Sequence, residues 1–356
     1  MPTAAPPLTG AGDLTAEWLS AALGTVVTGV TLEPVGTGQV ADTVRIGVDY
    51  AEAGTGPATV IAKVPAAEEA SRAGARLTRT YEIEASFYRD LAPGLPVRTP
   101  HCHHAAHDPE TDAYVVLLED VAPATQGDQM AGCTVEDIAA AVDELALLHG
   151  PRWGDASLLD LDWLHRAKPE QLAATVDLVG YTVGPFHEQY RDLVTPQTMD
   201  VLDELTPHLG AYLRHRPEPW TIVHGDFRAD NLLFGGPRVV VVDWQTVGVG
   251  PAAGDLSYLL GASLTPELRR RHEGELVDRY VGRLGEQGVA VDRDALWEGY
   301  RRWAFGGLIM AVAASALVRR TARGDEMFIT MADRHAQQAI DLESLSLVAR
   351  QPPSLR

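Results

Sequence analysis

His224, Asp226, Asn231 and Asp243 fall within one short run, HGDFRADNLLFGGPRVVVVDW. Their types suit one chemistry. A carboxylate can accept or orient the proton of a hydroxyl. An amide oxygen and further carboxylates make a hard oxygen donor set that suits Mg²⁺ rather than zinc. Two strand-like stretches, LLF at 232–234 and VVVVD at 239–243, are joined by Gly235-Gly236-Pro237. A tight turn there would bring Asn231 and Asp243 to the same end of a hairpin. The order H-x-D-x-x-x-x-N followed by Asp is the catalytic half of the pattern used to move a phosphoryl group from ATP. In that pattern Asp226 accepts or orients the hydroxyl proton, while Asn231 and Asp243 hold the metal on the nucleotide phosphates.

A second group lies upstream. The chain has 27 arginines but only two lysines, Lys63 and Lys168, and Lys63 sits inside the apolar run TVIAKVP. An unpaired ammonium there is costly, so it requires an anion. Residues 72–91 read as one helix with Leu77, Tyr81, Tyr88 and Leu91 along a core-facing stripe; Glu84 occupies the same stripe and Glu82 points off it. The spacing predicts that Lys63 meets Glu84, the pair that steadies a lysine on nucleotide phosphates. In VGTGQVADTVRI, Gly36 and Gly38 allow backbone N–H groups to approach phosphate, although the full glycine-rich motif is absent. The strand YVVLLEDV ends in Glu119-Asp120-Val121, whose backbone would present hydrogen-bonding groups to a purine edge.

These groups require two bodies to position them. Residues 1–12 read as a loose end and 13–121 as a small lobe, with a helix at 14–23, a hairpin-rich sheet at 32–66 and a hinge near 118–121. Residues 122–345 read as a larger helical lobe, opened by a capping box at Thr134 and Asp137 and carrying a helical insertion at 150–223; 346–356 form a tail. The expected fold class is α+β: a small antiparallel sheet with a helix, followed by a mostly helical lobe. The apolar stretch 303–318 is shorter than the ~18 residues of a membrane span and reads as a buried helix.

Composition narrows the partners. Forty-nine acidic against 29 basic residues give a net charge of −20, which argues against nucleic acid and membrane surfaces. Two cysteines and a start without a basic, apolar leader point to the cytoplasm. Residues 123–300 hold 28 acidic and 14 basic residues, a field that favours a cationic acceptor. Trp153, Trp163, Trp244 and Trp303 are candidates to stack on a ring or an ammonium. In HCHHAAH, strand alternation sends neighbouring side chains of His101–His104 to opposite faces, away from the convergence that zinc requires. Eleven residues separate Asp243 from Asp255 and no A-P-E follows, too little for a peptide-holding activation segment; HGD also stands where protein kinases carry HRD. The acceptor expected is therefore a small molecule.

The runs HGDFRADNLLF and VVVVDWQTVGVGPAAGDLSYLL, with IAKV, EASFY and LLEDV upstream, resemble the aminoglycoside phosphotransferase / choline kinase superfamily over about residues 30–320. Within it they are most like the ecdysteroid-kinase-like (CHK kinase-like) branch. The resemblance implies a two-lobed, protein-kinase-like fold that moves the γ-phosphoryl of ATP, with Mg²⁺, to a small-molecule hydroxyl. By position it makes Lys63 and Glu84 the nucleotide-lobe pair, and Glu119 and Val121 the hinge. It makes Asp226 the catalytic residue and Asn231 and Asp243 the metal ligands. His224 organises the loop, and Asp255 anchors it through backbone hydrogen bonds. The chain departs from protein kinases in its abbreviated glycine loop and in the Trp-Gln that follows Asp243. An antibiotic-inactivating phosphotransferase and a nucleotide-binding pseudokinase acting as a sensor are the alternatives. The assembly expected is a monomer or homodimer.

Overall fold

Alternation in TVIAKVP sets the register of the first sheet: Val60, Ala62 and Val64 are fully buried on one face, and Lys63 takes the other. In the computed structural model, which describes residues 5–36, 40–317 and 320–349, the chain divides into two compact units. One comprises Met1–Ala124, Asp162–His165 and Val240–Val247; the other comprises Thr125–Leu161, Arg166–Val239 and Gly248–Arg356.

The first unit is built on an antiparallel five-stranded sheet. Its strands are β1 (Val27–Pro34), β2 (Ala41–Tyr50), β3 (Thr59–Pro65), β4 (Cys102–His107) and β5 (Tyr114–Glu119), in the order β1-β2-β3-β5-β4. Lys63 stands opposite Thr43 on β2 and Val116 on β5. Helix α1 (Ala16–Leu23), capped by the Thr15 hydroxyl, closes one face; Trp18 and Leu19 join Ile46, Val60, Ala62 and Leu117 in the core.

The single helix expected over 72–91 is broken. Helix α2 (Glu69–Thr78) ends at Arg79, whose φ of 57° is left-handed; α3 (Thr80–Ser86) and a π turn over Phe87–Leu91 follow. The break resets the helical phase, so counting by fours from Leu77 fails across it, and Leu77 is 87% exposed. Tyr81, Glu84, Tyr88 and Leu91, all past the break, are buried as the stripe required.

The second unit is mostly helical. Helix α4 (Val135–His149) carries the expected Thr134 cap and is followed by α5 (Pro169–Tyr190), α6 (Pro196–Leu205) and α7 (Leu209–Arg214). Beyond the strands Thr221–Val223, Leu232–Phe234 and Gly248–Gly250 come α8 (Ala253–Ser263), α9 (Pro266–Glu286), α10 (Arg293–Arg302), α11 (Gly306–Leu317), α12 (Ala322–Asp341) and α13 (Leu345–Ala349). Nearly every residue of α8 is buried, as an apolar sequence without a polar face demands. Leu256, Leu259 and Leu260 are fully covered, each worth about 1.5–3 kcal/mol. The stretch read as a buried helix forms a 3₁₀ turn and then α11, with Leu308, Ala311 and Val312 fully buried. Among the described residues no helix is long and apolar enough to cross a membrane.

The packing of α11 against α12 depends on glycine. A β-carbon on Gly307 of α11 would lie 2.0 Å from Cδ2 of the His335 ring on α12, and that ring is tied by Nδ1 to the Ala304 carbonyl at 2.9 Å. Gly307→Ala should therefore destabilise by about 1–3 kcal/mol in denaturant unfolding. Gly274→Ala on α9, where nothing lies within 4 Å, should gain up to ~1 kcal/mol.

Candidate active site

In the first unit, Lys63 is enclosed by anions. Its Nζ donates to Glu84 Oε1 at 2.6 Å and to Asp243 Oδ1 at 2.8 Å; the three side chains are 14%, 1% and 29% exposed. Burial works against the ammonium, but the charges of Asp243 and Glu84 outweigh it and raise its pKa above the ordinary lysine value. Glu84 spends its other oxygen on the Tyr114 hydroxyl, at 2.7 Å. Tyr114 in turn stacks on Tyr81 at 4.6 Å, so α3 and β5 hold the carboxylate from two sides. Glu82 pairs with Arg79 instead.

Asp243 adopts φ 67°, a left-handed backbone that a non-glycine residue keeps only when its surroundings enforce it. The next residue supplies that enforcement: Trp244 is fully buried, stacks on Phe87 at 3.9 Å and donates from Nε1 to the Val241 carbonyl. Trp244 is thus a packing residue and not a surface for an acceptor ring. Trp163 is also buried.

The remaining nucleotide-lobe candidates are placed unevenly. Gly36 has φ 77°, a left-handed turn open to glycine, and Gly38 lies outside the described residues. The Glu119 carboxylate accepts two bonds from Arg98, each 2.9 Å, and its N–H donates to the His101 carbonyl. The Val121 carbonyl accepts from Ala124 N–H.

In the second unit, the loop after the strand Thr221–Val223 is latched by Asp255. Its Oδ2 accepts the His224 N–H at 2.6 Å and its Oδ1 accepts the Gly225 N–H at 3.0 Å. His149 Nε2 lies 3.3 Å from the same carboxylate, and His149 Nδ1 meets the Tyr280 hydroxyl. Gly225 has φ 82°, which accounts for glycine at the middle of HGD. The fully buried His224 turns Nδ1 onto the Asp226 N–H at 3.3 Å, the geometry of a loop organiser.

Burial opposes the Asp255 charge, but its hydrogen bonds, that from His149 foremost, hold its pKa below the ordinary aspartate value. A lowered carboxylate pKa stabilises the fold above the unfolded-state value, and the stabilisation is lost as pH falls through the folded value. Asp255→Asn should cost about 1–3 kcal/mol at neutral pH. Its stability should also fall less steeply than wild type below pH ~4 in urea unfolding followed against pH.

Asp226 is only partly buried and is held by two neighbours. Asn231 Nδ2 donates to its Oδ2 at 2.8 Å and to its carbonyl at 2.8 Å; Arg228 Nε lies 3.0 and 3.1 Å from the two carboxylate oxygens. Arg228 also reaches Asp230 at 2.8 Å and the Gln129 side chain at 2.7 Å. Burial weakens the Arg228 charge, and Asp226 and Asp230 more than restore it. Arg228 is not among the residues that the motif spacing singles out. Its signal was an arginine two residues from each of two aspartates. With Nδ2 committed to Asp226, Asn231 offers its amide oxygen as a donor. Asn231 belongs to the second unit and Asp243 to the first. Each presents a hard oxygen of the kind that Mg²⁺ takes.

Burial pushes the Cys102 thiol up to about 12 and the Cys133 thiol up to about 11, which disfavours their thiolates at neutral pH.

A family model described as the phosphotransferase enzyme family matches residues 31–303. Among solved structures, the choline kinase of Cryptosporidium parvum Iowa II is similar over 90% of this chain and 91% of its own, at 9% identity and a TM-score of 0.57. The GDP complex of aminoglycoside 2'-phosphotransferase-IIIa is similar over 88% of this chain and 93% of its own, at 14% identity and a TM-score of 0.54. Both share the fold. No curated protein matches the chain.

Proposed function

Because the chain belongs to the phosphotransferase enzyme family, we propose that it moves the γ-phosphoryl group of ATP to a hydroxyl of a small molecule. The observation that carries this reading is the Asp226 carboxylate, held by Arg228 and Asn231 on a loop latched through Asp255. A carboxylate fixed in this way can accept the proton of an attacking hydroxyl without reorganising. Lys63, steadied by Glu84, serves the nucleotide phosphates. Gly36 and Gly38 serve them through the backbone. Glu119 and Val121 serve the purine through main-chain groups, the Val121 N–H having no partner among the described residues. Asp243 and Asn231 would hold Mg²⁺, which supplies neutralising charge on the phosphate oxygens.

The branch most consistent with the motifs is the ecdysteroid-kinase-like one. Free, unpaired cysteines accord with a cytoplasmic setting. The test is ADP production and phosphate transfer from ATP, with and without Mg²⁺, over a panel of hydroxylated metabolites and antibiotics that includes choline and aminoglycosides. Transfer to one acceptor class supports the proposal. Metal-dependent ATP binding without transfer to any acceptor favours the pseudokinase reading, and resistance in cells expressing the chain would mark an antibiotic as the acceptor.

A further inference from the structure

Among the described residues, the buried and half-buried arginines of the second unit are matched, with one exception. Arg228 has Asp226 and Asp230, and Arg269 has Glu273 and Asp341. Arg334 donates to the carbonyls of Met130, Gln129 and Ala262, and Arg302 to those of Ala211 and Leu347. Arg216 has no acceptor for its guanidinium among the described residues. Its Nε is sealed from solvent without a hydrogen bond, while the Nη ends, also unpartnered, keep solvent contact. A guanidinium cannot shed its proton to escape this, so the charge stays and the site is left wanting an anion.

The group is positioned, not adrift. Cζ of Arg216 lies 5.6 Å from the centre of the Trp303 ring, in a cation–π arrangement. The Trp303 carbonyl accepts the Tyr212 hydroxyl at 3.3 Å, and the Arg216 carbonyl accepts Trp220 Nε1 at 3.0 Å. Burial draws the Arg216 pKa below the ordinary value, with no carboxylate acting to reverse it.

The same group lies beside the elements that lead into the Asp226 loop and into its latch. A β-carbon on Gly250 would stand 3.4 Å from Val223 Cγ2 and 3.6 Å from Arg216 Nη1, and Val223 ends the strand that runs directly into His224-Gly225-Asp226. The indole of Trp303 passes 3.8 Å from the corresponding point on Gly254, the residue before the latch Asp255.

We propose that Arg216, stacked on Trp303, reads an anionic group, a carboxylate or phosphate, carried by the hydroxylated acceptor. This rests on the phosphotransferase reading above and names its substrate class: a hydroxy acid or hydroxylated phosphate ester. It runs against the cationic acceptor that the overall charge of residues 123–300 suggests. A fixed fork within hydrogen-bonding reach outweighs a diffuse field that salt screens.

Two measurements on the full chain test it. Titration with inorganic phosphate should change the tryptophan emission saturably. The change should vanish in Arg216→Gln and in Trp303→Phe. In the transfer assay, each hydroxy acid is run beside its neutral amide. The acid should be favoured in kcat/KM by about 10- to 100-fold, the range of a charge-assisted hydrogen bond, and Arg216→Gln should collapse that ratio. Should Arg216→Gln fail to fold, Arg216→Lys, which keeps the charge but loses the fork, should show an intermediate ratio. Equal use of acid and amide, an unchanged ratio in the variants, or no Arg216-dependent emission change overturns the anion subsite while leaving phosphate transfer standing. Absence of transfer to every acceptor overturns the phosphotransferase reading itself.

Discussion

Asp226→Asn should lower kcat by about 10²–10⁴ while leaving the fold intact. The substitution is isosteric. Asn231 Nδ2 can still donate to the retained oxygen and to the residue 226 carbonyl, and Arg228 keeps Asp230 at 2.8 Å. Loss of the proton acceptor is then the principal change, so the deficit should fall on kcat with the KM for ATP nearly unmoved. Steady-state kinetics beside a thermal melt checks both halves. A variant with full turnover would remove Asp226 from the chemistry.

Replacing Lys63 should damage both activity and stability, and the two effects can be separated. Lys63→Met removes the cation from between Glu84 and Asp243. With its carboxylate 1% exposed, Glu84 is left with only the Tyr114 hydroxyl. Breaking a buried pair from one side costs about 3–5 kcal/mol. The double variant Lys63→Met/Glu84→Gln should recover much of that stability, because the amide needs no counter-ion. It should not recover turnover, which is expected to stay about 10²–10³-fold down, the usual loss when a fixed charge on the reacting phosphates is removed. Urea unfolding and phosphate transfer on the wild type and both variants measure the two effects independently. A double variant that regained activity would make the pair purely structural.

Much of this was legible in the residues, for identifiable reasons. A lysine in an apolar strand and a glutamate among buried aromatics each need an opposite charge, and the structure joins them at 2.6 Å. The antiparallel sheet and the mostly helical second unit followed from periodicity. The break at Arg79 did not, because the threonines on either side of it are only weakly unfavourable to a helix and an arginine does not signal a left-handed residue. The packing role of Trp244 follows the commoner use of tryptophan as a core aromatic, with its ring stacked on Phe87. Arg228 is not marked by helical spacing, because it caps a 3₁₀ turn and its partners lie two residues to either side, Asp226 before the turn and Asp230 within it. Arg216 could not be singled out among 27 arginines, for its distinction is the lack of a partner.

The latch at Asp255 sits in the first turn of α8, a helix buried along nearly its whole length, with only a carboxylate between that helix and the two amides that shape the Asp226 loop. The loop therefore has no soft hinge of its own on that side. Heat inactivation and loss of the helical core should share a single midpoint, and stiffening α8 is the direct route to a longer working life at elevated temperature.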